Sequence, residues 1–495
     1  MMSRNEQQPV RTRFAPSPTG RTHLGSGRTA LYNYLLARQT GGQFILRIED
    51  TDQKRFVPGA EEELIESLHW LGLTWDEGPD VGGPFGPYRQ SDRLEIYQEY
   101  AKELIDRGHA YYCFCKQSEE LKNNKRSRRH RDDCTSRNLS LDQTKVRIAA
   151  GESYVIRFRM PLNGTITAVD ALRGMITVEN STLDDTILVK SDGFPVYHLA
   201  ALVDDHLMQI THVFRTSEWL PTFPLHAHIY DAFGWRQPVW IHPSIFLKPD
   251  GKGKMSKRDS TDILKDGKSI FLSDMQALGY LPEAVVNWAV LMGWSFDDHT
   301  EFFKMSDLIE KFSIEKLNPS PAAINFSKLD HFNGLHIRNL YVDDLAERLL
   351  PFFEQAGLEP DIETLKKIAA ILQVRLITLD EAVDKAGFFF QDEVHPEPEA
   401  LVAKKLTAYE SAKIARRAYN LLASLPEITH ESAEQPMRNL AAELNVKVGQ
   451  LFNVVRVAVT GQRVSPPLFE SMEIIGKEKS LVRLEQAIVI LDDLG

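Results

Sequence analysis

Apolar and polar positions near the start of the chain form a pattern that predicts a strand, a loop, a helix and a second strand. Val10, Thr12 and Phe14 alternate with arginines, which makes one face of a strand mostly apolar. A loop rich in proline and glycine follows, then a helix with one apolar face, and residues 44–48 are predicted to be a buried strand. This order predicts a parallel βαβ unit, whose ligands bind at the carboxyl ends of the strands. Three polar residues are expected at that end: Arg13, His23 and Glu49.

The pattern changes character twice along the rest of the chain. Residues 111–183 combine a basic polar stretch with short alternating runs, which indicates an insertion between two halves of the sheet. The sheet is predicted to resume at 186–190, to pass through 197–205 and to include a strand at 209–214. Beyond residue 281 the period is helical. An α/β, Rossmann-type N-terminal domain with an α+β insertion, followed by all-α domains, is therefore expected.

Composition and charge narrow the class of protein. A chain of 495 residues is too long for one hydrophobic core, so two to four domains are expected. Its composition, 43% hydrophobic and 26% charged residues, is typical of a soluble protein. The sequence has no secretory signal, no apolar run near roughly 18 residues, and too few cysteines for a disulfide framework. A cytoplasmic protein without a membrane partner follows. The net charge of −11 argues only partly against a nucleic-acid partner, since an acidic protein can carry a basic face.

Two familiar phosphate-binding motifs match the sequence poorly. A dinucleotide fingerprint at Gly25 requires a strand that runs straight into the glycine, whereas ten residues with two prolines separate Phe14 from Gly25. A P-loop fails because Ser26 occupies the position of its lysine. A dinucleotide-dependent oxidoreductase therefore remains a remote alternative.

A different phosphate chemistry fits better. His23, followed by small residues at a predicted helix N-terminus, can hold a triphosphate with backbone N–H groups, the helix dipole and its imidazole. Residues 254–258 form a Lys-Met-Ser-Lys-Arg cluster on a glycine-flanked loop that is expected to close over the same phosphates. A helix-capping histidine and a solvated basic loop are the structural alternatives for each feature alone.

These motifs together resemble one enzyme family. Residues 11–20, 23–26, 47–52 and 254–258 are similar to the motifs of glutamyl-tRNA synthetases, which are class I aminoacyl-tRNA synthetases. The likeness covers essentially the whole chain, with further matches at 86–91, 197–200, 203–206, 281–284 and 333–334. The helical C-terminal part resembles the bacterial-type anticodon domain. Ser26 stands where many class I enzymes have a second histidine, a departure that glutamate enzymes commonly share.

The resemblance implies a class I synthetase fold and a two-step reaction. Glutamate attacks the α-phosphate of ATP, giving glutamyl-adenylate and pyrophosphate, and the glutamyl group then passes to the 3′-terminal adenosine of tRNA(Glu). His23, Lys254 and Lys257 are the implied catalytic residues, and Mg²⁺ accompanies the ATP. The implied ATP-binding residues are Ser17, His23, Gly25, Ser26, Glu218, Lys254, Met255 and Lys257.

The family pattern also divides the chain into domains. Residues 1–110 and 186–260 form the two halves of the catalytic domain, and residues 111–185 form an insertion that binds the acceptor stem. Residues 261–330 form a helical region that contacts the tRNA stem, and residues 331–495 bind the anticodon. Arg375 is a candidate anticodon reader by its place in the pattern. A monomer is expected.

The amino-acid pocket also follows from the chemistry of glutamate. Its two carboxylates and one ammonium require two guanidinium groups and one carboxylate, which Arg13, Arg215 and Glu49 supply at three strand ends. Surface arginines at strand ends are the structural alternative. The implied glutamate-binding residues are Arg13, Ala15, Ser17, Glu49, Tyr197 and Arg215.

Three cysteines resemble a zinc site that some members of the family carry in the insertion: Cys113, Cys115 and Cys134. Zinc takes four ligands, and the position two residues after the last cysteine is Ser136. His130 is near enough in sequence to take that place. A structural Zn²⁺ and three free thiols both remain open.

Two further functions are alternatives to glutamate ligation. A glutaminyl-tRNA synthetase, or an enzyme that also charges tRNA(Gln), is the nearer one. The residues at positions 14–17 and 48–52, however, resemble those of the glutamate enzymes. A non-catalytic tRNA-binding protein would bind RNA without turning over ATP.

Overall fold

The computed structural model describes residues 9–115, 129–255, 259, 263 and 267–495. The chain divides into two compact units. The first unit comprises Met1–Met275 and Pro282–Phe326, and the second comprises Gln276–Leu281 and Ser327–Gly495. Among the residues described, no helix is long and apolar enough to cross a bilayer.

The main sheet of the first unit has six strands within the described chain, in the order β2, β1, β8, β9, β5, β6. Its strands are β1 (Arg11–Phe14), β2 (Gln43–Leu46), β5 (Thr165–Asp170), β6 (Gly174–Glu179), β8 (His212–Phe214) and β9 (Val239–Ile241). All neighbours pair in parallel except β6, which is antiparallel to β5. The expected parallel sheet of a Rossmann-type domain is present.

Two smaller sheets accompany the main sheet. The first is antiparallel and contains β3 (Ala110–Cys113), β4 (Val155–Phe158) and β7 (Ile187–Val189). The second is a parallel pair of β10 (Phe246–Leu247) and β11 (Ala322–Ala323).

Helices fill the connections between the strands and make up almost all of the C-terminal part. Among the described residues up to position 311, the helices are Leu24–Gln39, Ala60–Trp70, Leu94–Asp106, His130–Asp133, Leu141–Ala149, Tyr197–Leu207, Phe223–Phe233, Leu272–Ala277, Pro282–Leu291 and Met305–Lys311. Those that follow are Phe326–Arg338, Val342–Gln355, Ile362–Leu372, Glu381–Ala386, Pro398–Leu401, Ala408–Ser424, His430–Glu443, Val448–Thr460, Leu468–Ile475 and Lys477–Asp493.

The first strand is buried on both of its faces. All four residues of β1 are buried, including its two arginines. Arg11 reaches Glu77 at 2.8 Å and Arg13 reaches Asp205 at 2.9 Å. Buried charges need partners. The alternation of arginines with Thr12 and Phe14 along β1 therefore separates a face of paired charges from a mostly apolar face.

Two predictions about the sheet are wrong. Strand β7, expected to resume the main sheet, pairs with β4 in the three-stranded sheet, while the β5–β6 hairpin of the predicted insertion extends the main sheet through β9. Residues 197–205, expected within the sheet, belong to the helix Tyr197–Leu207. Residues 199–205 are all buried, and the apolar run at 199–203 has no period that separates a helix from a strand.

The prediction of an all-α C-terminal part is confirmed. Every residue from 331 to 495 is described, and none of them lies in a strand. The helix Ala408–Ser424 begins at a capping box formed by Thr407 and Glu410, a signal legible in the sequence. The helix Lys477–Asp493 buries Leu484 and Leu491, two residues seven positions apart on one face.

Candidate active site at the carboxyl ends of the parallel strands

A cavity of about 930 Å³ opens beside the ends of the parallel strands in the first unit. It is lined by every described residue that the sequence analysis assigned to ATP or glutamate: Arg13, Ala15, Ser17, His23, Gly25, Ser26, Glu49, Tyr197, Arg215, Glu218, Lys254 and Met255. Lys257, the remaining predicted residue, lies outside the described residues. One cavity therefore collects residues that are up to 242 positions apart in the chain, from Arg13 to Met255.

His23 caps the first helix of the βαβ unit. Its Nδ1 accepts hydrogen bonds from the backbone N–H groups of Gly25, at 3.0 Å, and Ser26, at 3.3 Å. Because Nδ1 accepts, the neutral ring carries its hydrogen on Nε2. A Cβ at position 25 would lie 2.9 Å from the ring, so glycine is what permits this close approach. The first turn contains no acidic residue, and its positive dipole end favours an anion at this edge of the cavity.

The start of the cationic loop lies against the same cavity. The Met255 N–H donates to the carbonyl oxygen of Phe246 at 2.9 Å, which holds the loop beside β10. The half-exposed Lys254 ammonium reaches the Glu218 carboxylate at 2.5 Å. The pair places a half-exposed cation at the cavity, where a phosphate can compete with Glu218 for it.

A buried cluster of charges lies behind the strand ends. Asp205 pairs with Arg13 and with Arg47, each at 2.9 Å. Burial alone would raise the pKa of Asp205, but the two arginines bring it below its usual value, so Asp205 stays ionised. Arg47 also reaches Glu49 at 3.1 Å, yet burial raises the pKa of Glu49 to about 7.

Arg215 is held differently from Arg13. Its Nε donates to His242 Nε2 at 2.8 Å, and its Nη1 bonds to His226 Nδ1 at 2.6 Å. Burial lowers the pKa of Arg215, which as an arginine nevertheless remains a cation. Burial, followed by the charge of Arg215, lowers the pKa of His226 well below 6.5 and that of His198, which bonds to His226, to about 4. These imidazoles are therefore neutral.

Several residues around this site were given no role in the sequence analysis, although some of them lie in the segments that match the family motifs. They are Arg47, Asp170, Asp204, Asp205, His226 and His242. His242 follows directly after β9, as Arg215 follows directly after β8. The rule that identified Arg215, a polar residue at a strand end, therefore also indicates His242. His226 lies inside the helix Phe223–Phe233, where no comparable signal exists.

The three cysteines form a compact cluster with a histidine in the first unit. Among the described residues, the donor atoms of Cys113, Cys115, His130 and Cys134 all lie within 4.8 Å of one another. Cys134 Sγ is 3.7 Å from Cys113 Sγ and 3.5 Å from Cys115 Sγ, and His130 Nε2 is 3.3 Å from Cys113 Sγ. Tetrahedral bonds of about 2.3 Å place ligand atoms roughly 3.8 Å apart, so the set fits zinc with little movement.

Ser136 is less suited to the fourth position. Its hydroxyl oxygen already accepts a hydrogen bond from the Phe114 N–H at 3.1 Å and lies 3.8 Å from Cys115 Sγ. A serine hydroxyl is also not among the usual zinc ligands. The geometry favours His130 over Ser136.

Arg375, the predicted anticodon reader, belongs to the second unit. Its Nη1 donates to the carbonyl oxygen of Ser465 at 3.0 Å. This hydrogen bond engages one N–H of the Arg375 guanidinium, which has further N–H groups that can donate to an acceptor on a ligand.

Comparisons with known proteins agree across the chain. The family model described as tRNA synthetases class I (E and Q), catalytic domain, matches residues 9–331, and the anticodon binding domain model matches residues 344–488. The glutamate–tRNA ligase of Chloroflexus aurantiacus is 45% identical over 98% of this chain and 99% of its own length. That of Dehalococcoides mccartyi is 45% identical with the same coverage of both chains, 98% and 99%.

A solved structure gives the same result. The crystal structure of a glutamate tRNA ligase from Elizabethkingia meningosepticum, in complex with its amino acid, has a TM-score of 0.88 at 34% identity. The match covers 99% of this chain and 100% of that one. The relatives are 45% identical over almost the full length of the chain, and the catalytic-domain model matches residues 9–331. The chain therefore belongs to the glutamate–tRNA ligases, a family of class I aminoacyl-tRNA synthetases.

Proposed function

We propose that this ligase activates L-glutamate with ATP and transfers it to the 3′-terminal adenosine of tRNA(Glu). One observation carries the proposal. Arg13, Glu49 and Arg215, the charges that glutamate requires, line the same cavity as the helix N-terminus capped by His23. The amino acid and the triphosphate can therefore meet inside one enclosure.

The amino-acid side of the cavity suits glutamate by charge. Asp205 takes the Nε edge of Arg13 and leaves hydrogens on both Nη atoms for a substrate carboxylate. Arg215 offers a second guanidinium, and Glu49 is placed to receive the ammonium group. Ser17 and Tyr197 add neutral hydrogen bonds, and Ala15 leaves room for a close approach to its backbone. These roles rest on charge complementarity within the cavity.

The nucleotide side needs no nucleophilic side chain. A glutamate carboxylate oxygen attacks the α-phosphorus of ATP, the bond from that phosphorus to the bridging oxygen breaks, and pyrophosphate leaves with the electron pair. The His23 Nε2–H and the positive end of the helix that His23 caps would face phosphate oxygens, since the N–H groups of Gly25 and Ser26 already donate to His23 Nδ1. Mg²⁺ bound to the triphosphate would supply further positive charge. Positioning and neutralisation of developing charge are sufficient for this class of reaction.

The cationic loop would act on the leaving phosphates. Lys254 would exchange Glu218 for a phosphate oxygen, and Lys257 would stabilise the pentacovalent transition state, with Met255 packing at the nucleotide. Glu218 would return to solvent or contact the ribose side of ATP. Fixed cations aimed at charge that develops in the transition state are worth more in an enclosed site than in water.

The remaining parts of the chain would bind tRNA. We place the acceptor stem on residues 111–185, stem contacts on 261–330 and the anticodon on 331–495, with Arg375 as a candidate reader. The expectations of a monomer and of a cytoplasmic location stay predictions.

Cys113, Cys115, His130 and Cys134 are proposed to hold a structural Zn²⁺. The support is the agreement of their spacings with a tetrahedral site. Zinc would fix the start of the insertion, where β3 ends in Cys113. No step of the reaction passes through it.

The decisive experiment is aminoacylation with labelled glutamate and labelled glutamine against purified tRNA(Glu) and tRNA(Gln). Charging of tRNA(Glu) with glutamate alone is the expected result. Glutamate on both tRNAs would identify a non-discriminating enzyme. Charging with glutamine, or no glutamate-dependent exchange of pyrophosphate into ATP, would overturn the proposal.

A further inference from the structure

Arg215 is oriented by imidazoles, whereas Arg13 is oriented by a carboxylate. Asp205 accepts hydrogen bonds from two nitrogens of Arg13, at 2.9 and 3.4 Å. Arg215 instead contacts His242 at 2.8 Å and His226 at 2.6 Å. Tyr197 also interacts with the Arg215 guanidinium. Within the described part of the chain, the third nitrogen of Arg215, Nη2, is buried with no hydrogen bond of good geometry. The Arg215 side chain thus carries a buried donor group at a cavity wall.

Asp170 fixes the His242 ring. Its Oδ2 accepts hydrogen bonds from His242 Nδ1 at 2.6 Å and from the His242 backbone N–H at 3.1 Å. The hydrogen of His242 therefore lies on Nδ1, and the lone pair of Nε2 faces the Arg215 Nε–H, which always carries a hydrogen. Asp170 acts from behind the ring and does not contact the guanidinium.

His198 fixes the His226 ring in the same way. Arg215 donates from Nη1 to His226 Nδ1, so the hydrogen of His226 lies on Nε2 and points to His198 Nδ1 at 2.9 Å. His226 is fully buried inside its helix, and His198 lies at the start of the helix Tyr197–Leu207. Two imidazoles, each with an enforced tautomer, therefore accept from adjacent edges of one guanidinium.

We propose that His226 and His242 form a neutral cradle that gives the enzyme its selectivity for a negatively charged side chain. The cradle holds Arg215 in place without contacting it with an anion, so that Nη2 and the positive charge remain for the side-chain carboxylate of the substrate. A carboxylate in either cradle position would supply from the protein what glutamate supplies, and the pocket would then accept the neutral amide of glutamine. The inference rests on the proposed role of Arg215 in binding glutamate.

The physical basis is the cost of an unpaired buried charge. Glutamine in this pocket would leave the buried Arg215 guanidinium without a carboxylate in direct contact, whereas glutamate supplies one. Because neutral imidazoles and not a carboxylate orient Arg215, binding of the neutral glutamine side chain is disfavoured relative to glutamate. His226 and His242 are positioning residues, since they act through Arg215.

Matched substitutions separate charge from shape. Asn and Asp both place an oxygen near the Nδ1 position of histidine, so His226→Asn keeps a neutral acceptor and His226→Asp introduces a charged one. Gln and Glu do the same for the Nε2 position of His242. Each acid variant should lower the ratio of kcat/KM for glutamate to that for glutamine by on the order of 10²-fold, whereas each amide variant should stay within about fivefold of the wild type.

The assay is ATP–pyrophosphate exchange driven by each amino acid in the presence of tRNA. The KM for ATP and the thermal midpoint are measured for all four variants, because a merely structural role would move them and leave the selectivity ratio unchanged. Equal selectivity in an acid variant and its amide partner would overturn the cradle. His226 and His242 are both fully buried, so if one pair of variants does not fold, the other pair decides.

Failure of the underlying function has a different signature. If the wild-type enzyme shows no preference for glutamate over glutamine, the assigned role of Arg215 is wrong. If the wild type prefers glutamate and His242→Glu retains that preference in full, the role of Arg215 stands and only the cradle is refuted.

Discussion

The Glu49 carboxylate lies 3.1 Å from Arg47 Nη2, and yet burial raises its pKa to about 7. Arg47 and Arg13 both favour the ionised form, while the neighbouring Asp205 opposes it. The desolvation cost outweighs the two cations, which moves the pKa of Glu49 from the acidic range to about 7. An arriving ammonium group would favour the ionised form.

This balance predicts that the KM for glutamate depends on pH. Below the pKa the carboxyl group is neutral and cannot balance the substrate ammonium, so the KM should rise about tenfold per pH unit as the pH falls below about 7. Asp205, whose pKa is lowered, remains ionised in this range. Pyrophosphate exchange measured across the pH range gives the profile.

Glu49→Gln is the matched variant for this profile. It should raise the KM for glutamate at high pH and remove the step near neutral pH, while the KM for ATP changes little. A step that persists in Glu49→Gln would assign the titration to another group.

His23 has two functions that a pair of variants can separate. It caps a helix through Nδ1, and it is proposed to contact ATP with its ring. Asparagine is among the best N-cap residues, whereas alanine is among the poor ones. His23→Asn should therefore keep the stability of the protein but slow adenylate formation by on the order of 10²-fold, and His23→Ala should lose both.

Thermal unfolding and pyrophosphate exchange on the same two samples test this. Restored activity in His23→Asn would show that the residue is only a cap. Equal loss of stability in both variants would contradict the capping role of Nδ1.

The sequence was sufficient to identify the part of the site that lies at strand ends. Arg13 and Arg215 each stand at the end of a strand, and parallel strands bring such positions to one edge regardless of their distance in the chain. That rule needs only the period of the strands and the residue that ends each of them. His242 satisfies the same rule after β9 and was missed because no strand was predicted at 239–241.

The parts that the sequence did not reveal depend on tertiary pairing. Whether β7 or β5 extends the main sheet is decided by which strand meets β9, and no local pattern records that choice. The helix Tyr197–Leu207 was misplaced for a similar reason, since a run buried on every side has no polar face. His226 and Asp205 lie within helices and acquire their roles only when those helices pack beside the strand ends.

Lys257 is expected to contribute a transition-state charge. Removal of one such group typically costs 10²- to 10³-fold in rate, so Lys257→Ala should slow pyrophosphate exchange by about that factor while the KM for glutamate stays similar. Lys252→Ala, an exposed lysine of the same loop, is the control and should remain within about threefold of the wild type. Similar losses in both variants would point to the overall charge of the loop, and no loss in Lys257→Ala would refute its role.

Metal content tests the cysteine cluster. The purified protein should contain one zinc per chain, and His130→Ala or Cys115→Ala should lower that content, because a structural site with three ligands binds zinc far more weakly than one with four. Ser136→Ala should leave the content unchanged, since its hydroxyl contacts the Phe114 N–H. Elemental analysis and thiol titration provide readouts that do not depend on activity.

The same samples show what the site does for the fold. The cluster joins Cys113, at the end of β3, to Cys134, so removal of zinc should lower the thermal midpoint and weaken tRNA charging more than adenylate formation. Three cysteines that all react with a thiol reagent in the untreated protein, together with no zinc, would show that they are free thiols. Zinc that depends on Ser136 instead of His130 would mean that the ligand set rearranges on binding, because the hydroxyl would have to give up the Phe114 N–H to reach the metal.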